Sequence, residues 1–451
     1  VTESSTSLTA AAAKTFDVVI VGGGPSGSAC AYWLARSGWD VAVVEKKAFP
    51  RAKTCGDGLT PRSVRQITDM GLEPAVAAVG HRYDGLRSYG FGQHLEMRWP
   101  EHPSFPSYGY CITRLDLDDL VAANAVAAGA TLLTGTEALE VTGLLPGDES
   151  RLASCTGIAV KDKASGQAAE LRARILVVAD GSNSRIGRSL GTHRRREWPM
   201  GMAIRGYYSS PSSDDPFIES HLDIRDAEGN VVPGYGWVFP LGDGRINVGV
   251  GLLSTDRRWK GVNTTKLMET FVDFAPEHWE ISSDEALGPA TGGKLPMGLS
   301  VGPRTGGNVI VVGDASGSIN PFNGEGIAYG YETGRLAAAS IAESLLGGGP
   351  EALAEYDVRL SQAYGVYYDV ARAFVRLISE PRLMALCVGV GMRSETLMSE
   401  LLALMANLMR PDELGPAEVA YRAMAKLGSL LPERVLSALF NDPKAPLSSV
   451  A

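Results

Sequence analysis

The tightest constraint on this chain lies near its start, where the β-branched run Asp17-Val-Val-Ile-Val21 opens directly onto Gly22-Gly23-Gly24-Pro25-Ser26-Gly27. Such a run suits a strand buried on both faces. A helix fits Gly27 to Ser37, because Ala29, Ala31, Leu34 and Ala35 give a compact apolar face and Gly38 supplies a stop. Val41-Ala-Val-Val44 then reads as a second strand ending at Glu45. In this β-α-β unit the glycines satisfy G-x-G-x-x-G in the setting that gives the pattern meaning. Glycine permits the tight turn and a close backbone approach, the helix N-terminus faces a pyrophosphate, and the carboxylate accepts from ribose hydroxyls. The expectation is a dinucleotide-binding α/β fold built on a parallel sheet.

The chain has 451 residues, about three times the usual length of one domain, which predicts two or three units. Its 45% hydrophobic and 21% charged residues are globular values, while 53 glycines call for many tight turns. A net charge of −9 argues against a nucleic-acid surface, which would carry a basic stripe. Arg194-Arg195-Arg196 reads as a solvated loop, with an anion or headgroup contact as the alternative. Cys30, Cys55, Cys111, Cys155 and Cys387 form no C-x-x-C pair, and His81, His94 and His102 lack metal-ligand spacing. Free thiols in a reducing compartment and no metal are expected. Residues 1–14 read as a disordered leader without a signal peptide, which places the protein in the cytoplasm. The uncharged stretch Val18 to Ala35 is broken by glycines, and Leu383 to Met392 and Leu401 to Met409 are too short to span a bilayer.

Further along, Leu171 to Ala179 and Asn308 to Val312 repeat the buried-strand pattern, and each closes on a Gly/Asp turn. Trp237 to Leu253 alternates around Gly242-Asp243-Gly244, the mark of an antiparallel hairpin. After Gly326 the pattern turns helical: Ile327 to Leu346, a break at Gly347-Gly348-Gly349-Pro350, then Glu351 to Arg376. The predicted organisation is a discontinuous nucleotide-binding domain (15–80, 105–190 and 305–345), a sheet-rich substrate domain (81–104 and 191–304) and a helical C-terminal region (346–451).

The two downstream turns, Ala179-Asp180-Gly181-Ser-Asn-Ser184 and Gly313-Asp314-Ala315 leading to Asn320-Pro-Phe-Asn-Gly-Glu-Gly-Ile327, exceed what a nicotinamide dehydrogenase needs. With the glycine fingerprint, this combination resembles the group-A flavoproteins of the p-hydroxybenzoate-hydroxylase fold. The resemblance implies an FAD-binding fold with an inserted mixed sheet. It places the cofactor against Gly22, Gly24, Pro25, Ser26, Gly27, Glu45, Lys46, Cys55, Gly56, Arg114, Ala138, Asp180, Gly181 and Asp314, with Gly326 and Ile327 at a helix N-terminus by the flavin N1/O2 edge. For Arg114 a salt bridge to Asp118 at a helix start is the alternative.

Within this fold, Gly234-Tyr235-Gly-Trp237-Val-Phe239-Pro240 resembles the Y-x-W-x-F-P segment of the geranylgeranyl reductases, and Arg51-Ala-Lys-Thr-Cys55-Gly56-Asp57-Gly58 resembles their Cys-Gly segment. The longer match, which takes in His102 to Gly109 and Pro233 to Val250, is most similar to the bacterial menaquinone reductases. The resemblance implies hydride transfer from reduced flavin to a polyprenyl C=C bond, with menaquinone, a prenyl diphosphate or a prenyl lipid as substrate. A substrate that lives in the bilayer predicts peripheral contact with the inner face of the plasma membrane, and with no second glycine fingerprint for NADPH an unidentified electron donor is expected, either a soluble protein docking transiently or a membrane partner. Tyr235 and Trp237 alternate on a strand, so both face one side, where with Phe239 they line a tunnel and stabilise positive charge; a packed sheet face is the alternative. Cys55 is the candidate proton relay, set against an inert buried thiol, and the proton source itself stays open. The Leu- and Met-rich helices between Tyr364 and Met409 fit an interfacial surface, with Arg376, Arg382 and Arg393 near headgroups, or a helical cap on the core. A flavin monooxygenase or halogenase is the competing class, but its W-x-W-x-I-P segment differs at Tyr235 and Phe239. A lipid-binding flavoprotein without turnover has little in its favour.

Overall fold

In the computed structural model, residues 7–145, 147, 151–232, 234–254, 261–378, 385, 388–389 and 391–409 are described. Pro233, Arg382, Cys387, the Arg376 side chain and residues 410–451 of the expected helical region lie outside that set.

The strand Thr15–Val21 sits in the middle of an eight-stranded sheet, parallel to Ala168–Val178 on one side and Val41–Val44 on the other. Val309–Val311 and Thr131–Leu133 extend the parallel core at either end. Its residues divide between two apolar cores. Val18 and Ile20 pack with Ala31, Leu34 and Ile341, whereas Phe16, Val19 and Val21 pack with Leu176 and Val178. That double burial is the reason the strand reads as an unbroken apolar run.

The helix after the glycine turn spans Pro25–Arg36, two residues earlier than the apolar pattern indicates. Proline's fixed φ suits the first helical position, and Gly24 takes the cap. This helix lies on Ile327–Glu343 so closely that a Cβ at Gly334 would sit 2.4 Å from the Ser26 carbonyl oxygen. Leu8–Ala12, expected within a disordered leader, is instead a short helix. Leu8 and Ala11, one turn apart, are buried against the outer face of the sheet, and the Ser7 hydroxyl caps the helix at 3.2 Å.

A second, seven-stranded sheet runs in the order Thr291–Pro296, Met200–Ser209, Arg245–Leu253, Gly234–Pro240, Phe217–His221, Gly85–Gly90 and Gln93–Arg98. The predicted hairpin is its centre, with Tyr235 opposite Gly251 and Trp237 opposite Gly249. Val238 and Val248 face the helix Thr264–Asp273 and the fully buried Trp279. Tyr235, Trp237 and Phe239 point the other way, as period-2 alternation requires.

The C-terminal helices follow with breaks at Ser344–Gly348, where Gly347 has φ 115°, and at the wide turn Ser361–Gly365. The last described helix, Glu395–Met405, packs on Gln93–Arg98, burying Met398 and Leu402 with Met97 and Trp99. No helix among the described residues is long and apolar enough to cross a membrane.

Candidate active site

One cavity of about 800 Å³ runs between the two sheets and is lined from the glycine turn to the C-terminal helix. At the glycine end, Gly22 takes φ 108° and a Cβ there would meet the Ala179 carbonyl oxygen at 2.3 Å. A Cβ on Gly27 would sit 1.9 Å from the Gly22 carbonyl oxygen, so only glycine lets strand and helix close to this distance. Glu45 folds back onto the turn: its carboxylate accepts from the Gly23 N–H at 3.1 Å and the Lys47 N–H at 3.0 Å. Lys46 is exposed at the rim.

Beneath the turn lies a buried charge cluster. Arg51 reaches Glu45 at 3.3 Å and Asp118 at 2.9 Å, while Arg114 grips Asp118 through Nε at 2.7 Å and Nη2 at 2.8 Å. Two guanidiniums thus balance two carboxylates. Burial opposes the charge on Arg114, yet Asp118 outweighs it and holds its pKa well above the ordinary value. The salt bridge weighed for Arg114 therefore exists, and the guanidinium also lines the cavity.

The downstream turns converge on the same cavity. Asp180 accepts from the Ile186 N–H at 3.1 Å through Oδ2, whereas its buried Oδ1 has no hydrogen-bond partner. Gly181 beside it takes φ 82°. Asp314 follows Gly313, whose Cβ would strike the Ser26 hydroxyl at 2.4 Å, and lies over Gly326, the cap of the 17-residue helix Ile327–Glu343. Burial raises the carboxyl pKa of both Asp180 and Asp314. Ala138 enters through its backbone, its carbonyl accepting from Arg185 at 3.0 Å. Arg194 is half-buried in a short strand and donates to the Arg195 and Trp198 carbonyls, while Arg195 and Arg196 are exposed as expected of a loop.

At the far end, the segment after Arg51 lies against the aromatic face of the hairpin. The Phe239 ring covers Gly56 and Gly58, where a Cβ would approach it to 3.3 and 3.0 Å. The Tyr235 and Trp237 rings are 5.8 Å apart, and Trp237 and Phe239 are 6.2 Å apart. The Tyr235 hydroxyl donates to the Asn323 carbonyl at 2.7 Å, tying the hairpin to the loop before Gly326. Burial pushes the Tyr235 phenol up to about 12 and raises the Cys55 thiol, although Arg114 pulls the latter down.

Several residues here carry no motif of their own. Trp237 Nε1 donates to Asn247 Oδ1 at 3.0 Å, and Asn247 Nδ2 donates to the Cys55 carbonyl and to Asp57 Oδ2, each at 2.9 Å. The Tyr207 hydroxyl donates to the same Asp57 oxygen at 2.5 Å. Tyr207 and Asn247 meet because they are cross-strand partners, a pairing that only the register reveals. Glu325 receives the Thr60 hydroxyl at 2.5 Å and the Ser63 hydroxyl at 2.9 Å on Oε1, and burial pushes its carboxyl up to about 6. In sequence Asp57 and Glu325 are each an acid between two glycines, a setting they share with Asp243 of the hairpin turn. No group of His, Cys, Asp and Glu among the described residues is arranged to hold a metal.

Residues 15–212 match the family model described as an FAD binding domain. Over 420 residues the chain is 41% identical to the menaquinone reductase of Mycobacterium tuberculosis, covering 93% of this chain and 97% of that one. The chain belongs to the menaquinone reductase family. Digeranylgeranylglycerophospholipid reductase 2 of Methanosphaera stadtmanae is a more distant relative, 30% identical over 337 residues that cover 74% of this chain and 79% of that one. Among solved structures, a geranylgeranyl bacteriochlorophyll reductase-like protein of Thermoplasma acidophilum superposes with a TM-score of 0.72 at 20% identity, over 91% of this chain and 99% of that one. The flavin-dependent brominase Bmp2 gives 0.70 at 20% identity, over 92% and 99%, and so shares the fold.

This member of the menaquinone reductase family is an FAD-dependent oxidoreductase of the p-hydroxybenzoate-hydroxylase type of fold. The residues present fit FAD. The turn is held tight at Gly22 and Gly27, where a Cβ would strike backbone, ahead of a helix N-terminus suited to a pyrophosphate, and the Asp180 Oδ1 atom is a buried acceptor without a partner.

Proposed function

We propose that the protein saturates C=C bonds of a polyprenyl chain, with the isoprenoid tail of menaquinone as its substrate. The observation that carries this reading is the continuity of the cavity. It leads from the glycine turn past Cys55 and the Tyr235–Trp237–Phe239 face into an arm walled by Leu86, Met97, Trp99, Ile218, Met398 and Leu402. Burial of apolar carbon is worth about 0.8 kcal/mol per CH₂, so the five carbons of one isoprene unit held in this arm contribute roughly 4 kcal/mol. FAD, when bound and reduced, supplies the hydride.

The protein's own residues do the rest. Gly22, Gly24, Pro25, Ser26, Gly27, Glu45, Lys46, Ala138, Asp180, Gly181, Asp314, Gly326 and Ile327 hold the cofactor, and Arg51 and Arg114 keep the carboxylates beneath it neutralised. Cys55 and Gly56 shape the wall between cofactor and alkene. The aromatic faces of Tyr235 and Trp237 exclude water and stabilise cationic character at the alkene, an effect of about 2 kcal/mol in a desolvated site. A lipid substrate calls for docking at a membrane surface from the cytoplasmic side. The exposed Leu397 and Arg393, at the start of the helix whose other face walls the arm, support that contact. The chain carries one glycine fingerprint, so a separate electron donor is expected to reduce the flavin.

The deciding experiment incubates the holoenzyme, chemically reduced without oxygen, with detergent-solubilised menaquinone and measures the mass of the tail. A gain of two hydrogens in the tail is the expected result. Reduction of geranylgeranyl diphosphate or a prenyl lipid instead would move the substrate and keep the chemistry. Oxygen-dependent product formation with no chain reduced would sink the reading in favour of a monooxygenase or halogenase.

A further inference from the structure

The reduction needs a proton as well as a hydride, and the wall of the cavity holds a carboxyl group, that of Asp57, with one oxygen left unpartnered. We propose that Asp57 is the proton donor, delivering the hydrogen on Oδ1 to the alkene carbon that does not receive the hydride; this rests on the polyprenyl-reductase reading above.

Asp57 is buried, lines the cavity and takes a left-handed backbone with φ 66°, although it is not glycine. Such strain in a non-glycine residue marks a side chain whose position is held by its surroundings. Here its backbone carbonyl accepts from the Ile112 N–H at 2.9 Å, and the Tyr207 and Asn247 donors both converge on Oδ2. Oδ1 is left buried and without a hydrogen-bond partner. A charged carboxylate with one unsolvated oxygen is far costlier than a neutral acid, so the proton belongs on Oδ1.

The other groups facing Asp57 are Cys55, Cys111, Arg114 and Arg205. The two guanidiniums and the two hydrogen bonds favour the carboxylate, but burial outweighs them and the carboxyl pKa is raised. Against the thiol and the phenol nearby, the carboxyl is the stronger acid. A carboxylic acid starts about five pKa units more acidic than a thiol, and burial raises Cys55 as well. Tyr235, at about 12, is weaker still.

In the step, the O–H bond of Asp57 breaks and a C–H bond forms from the alkene π pair. The hydride from reduced flavin completes the second C–H bond, so the alkene gains two electrons and the flavin loses them. The carboxylate left behind recovers its proton from water before the next turnover.

The test uses anaerobically reduced holoenzyme in a single turnover with menaquinone, alongside infrared titration of the protonated-carboxyl band of the oxidised holoenzyme. For D57N we expect wild-type FAD content, loss of the Asp57 component of that band, and tail reduction slowed by about 10²- to 10⁴-fold, the usual worth of a positioned acid. Because Tyr207 stabilises the carboxylate, Y207F is expected to raise the pH at which the band and the alkaline limb of turnover titrate. Wild-type turnover in D57N, or a band and limb that do not move in Y207F, overturns the proposal. If D57N fails to fold or to retain FAD, the Y207F titration decides alone. A wild-type enzyme that reduces no prenyl chain would bring down the function reading and this inference together, whereas chain reduction unaffected by D57N would bring down the inference only.

Discussion

Gly27 shows how much a single hydrogen atom in place of a side chain decides. With only 1.9 Å between its would-be Cβ and the Gly22 carbonyl oxygen, Gly27→Ala must push the helix off the strand. Overpacking of this kind costs about 1–3 kcal/mol. The expected outcome is a lower melting temperature and a purified protein that has lost most of its FAD, read from the flavin-to-protein absorbance ratio. Glu325 sets a pH dependence at the same scale. Its carboxyl, ordinarily at 4.5, stands at about 6 in the folded protein, so the folded state binds more protons between those values. Stability then falls as pH rises from 4.5 to about 6 and is flat above that, a loss of about 2 kcal/mol. Glu325→Gln keeps an acceptor for Thr60 and Ser63 without the charge. Urea unfolding should show the variant gaining on the wild type by about 1–2 kcal/mol across that window; a constant difference would contradict the assignment.

At the scale of elements, the hairpin Gly234–Pro240 and Arg245–Leu253 works as a two-faced plate. Even positions close one core and odd positions face the cavity, so the aromatic trio is placed by strand alternation alone. Trp237→Phe keeps the ring but leaves Asn247 Oδ1 without its donor. An unsatisfied buried acceptor costs about 1–3 kcal/mol, which equilibrium unfolding would register. The helix Glu395–Met405 supplies the opposite wall. Leu401→Glu, on its cavity side, should raise KM for a long prenyl substrate by about tenfold or more, since a buried charge faces apolar chain, while FAD content stays unchanged. An unaltered KM would remove this helix from the substrate path.

Across the whole molecule, the cavity is lined from both sheets and from the C-terminal helices, so cofactor binding couples them. At a hundredfold excess over its Kd, FAD should stabilise the protein by about 2.7 kcal/mol. Calorimetry is expected to show one transition that moves as a unit; two transitions, only one of them FAD-sensitive, would disprove the coupling. The sequence by itself determined the nucleotide-binding half, because Asp17–Glu45 and the turns at Asp180 and Asp314 are local patterns in which glycine freedom and apolar period act within a few residues. It also determined the hairpin and the side that Tyr235, Trp237 and Phe239 share. The helix of Leu8–Ala12 escaped it, since five residues gain stability only from the sheet face they cover. Only the tertiary structure decided that Arg51 joins the local Arg114–Asp118 pair, that Tyr207 and Asn247 meet at Asp57, and that Met398 and Leu402 complete an apolar arm. Those contacts join residues up to hundreds of positions apart, and their chemistry depends on strand register and on burial, neither of which any local stretch of sequence encodes.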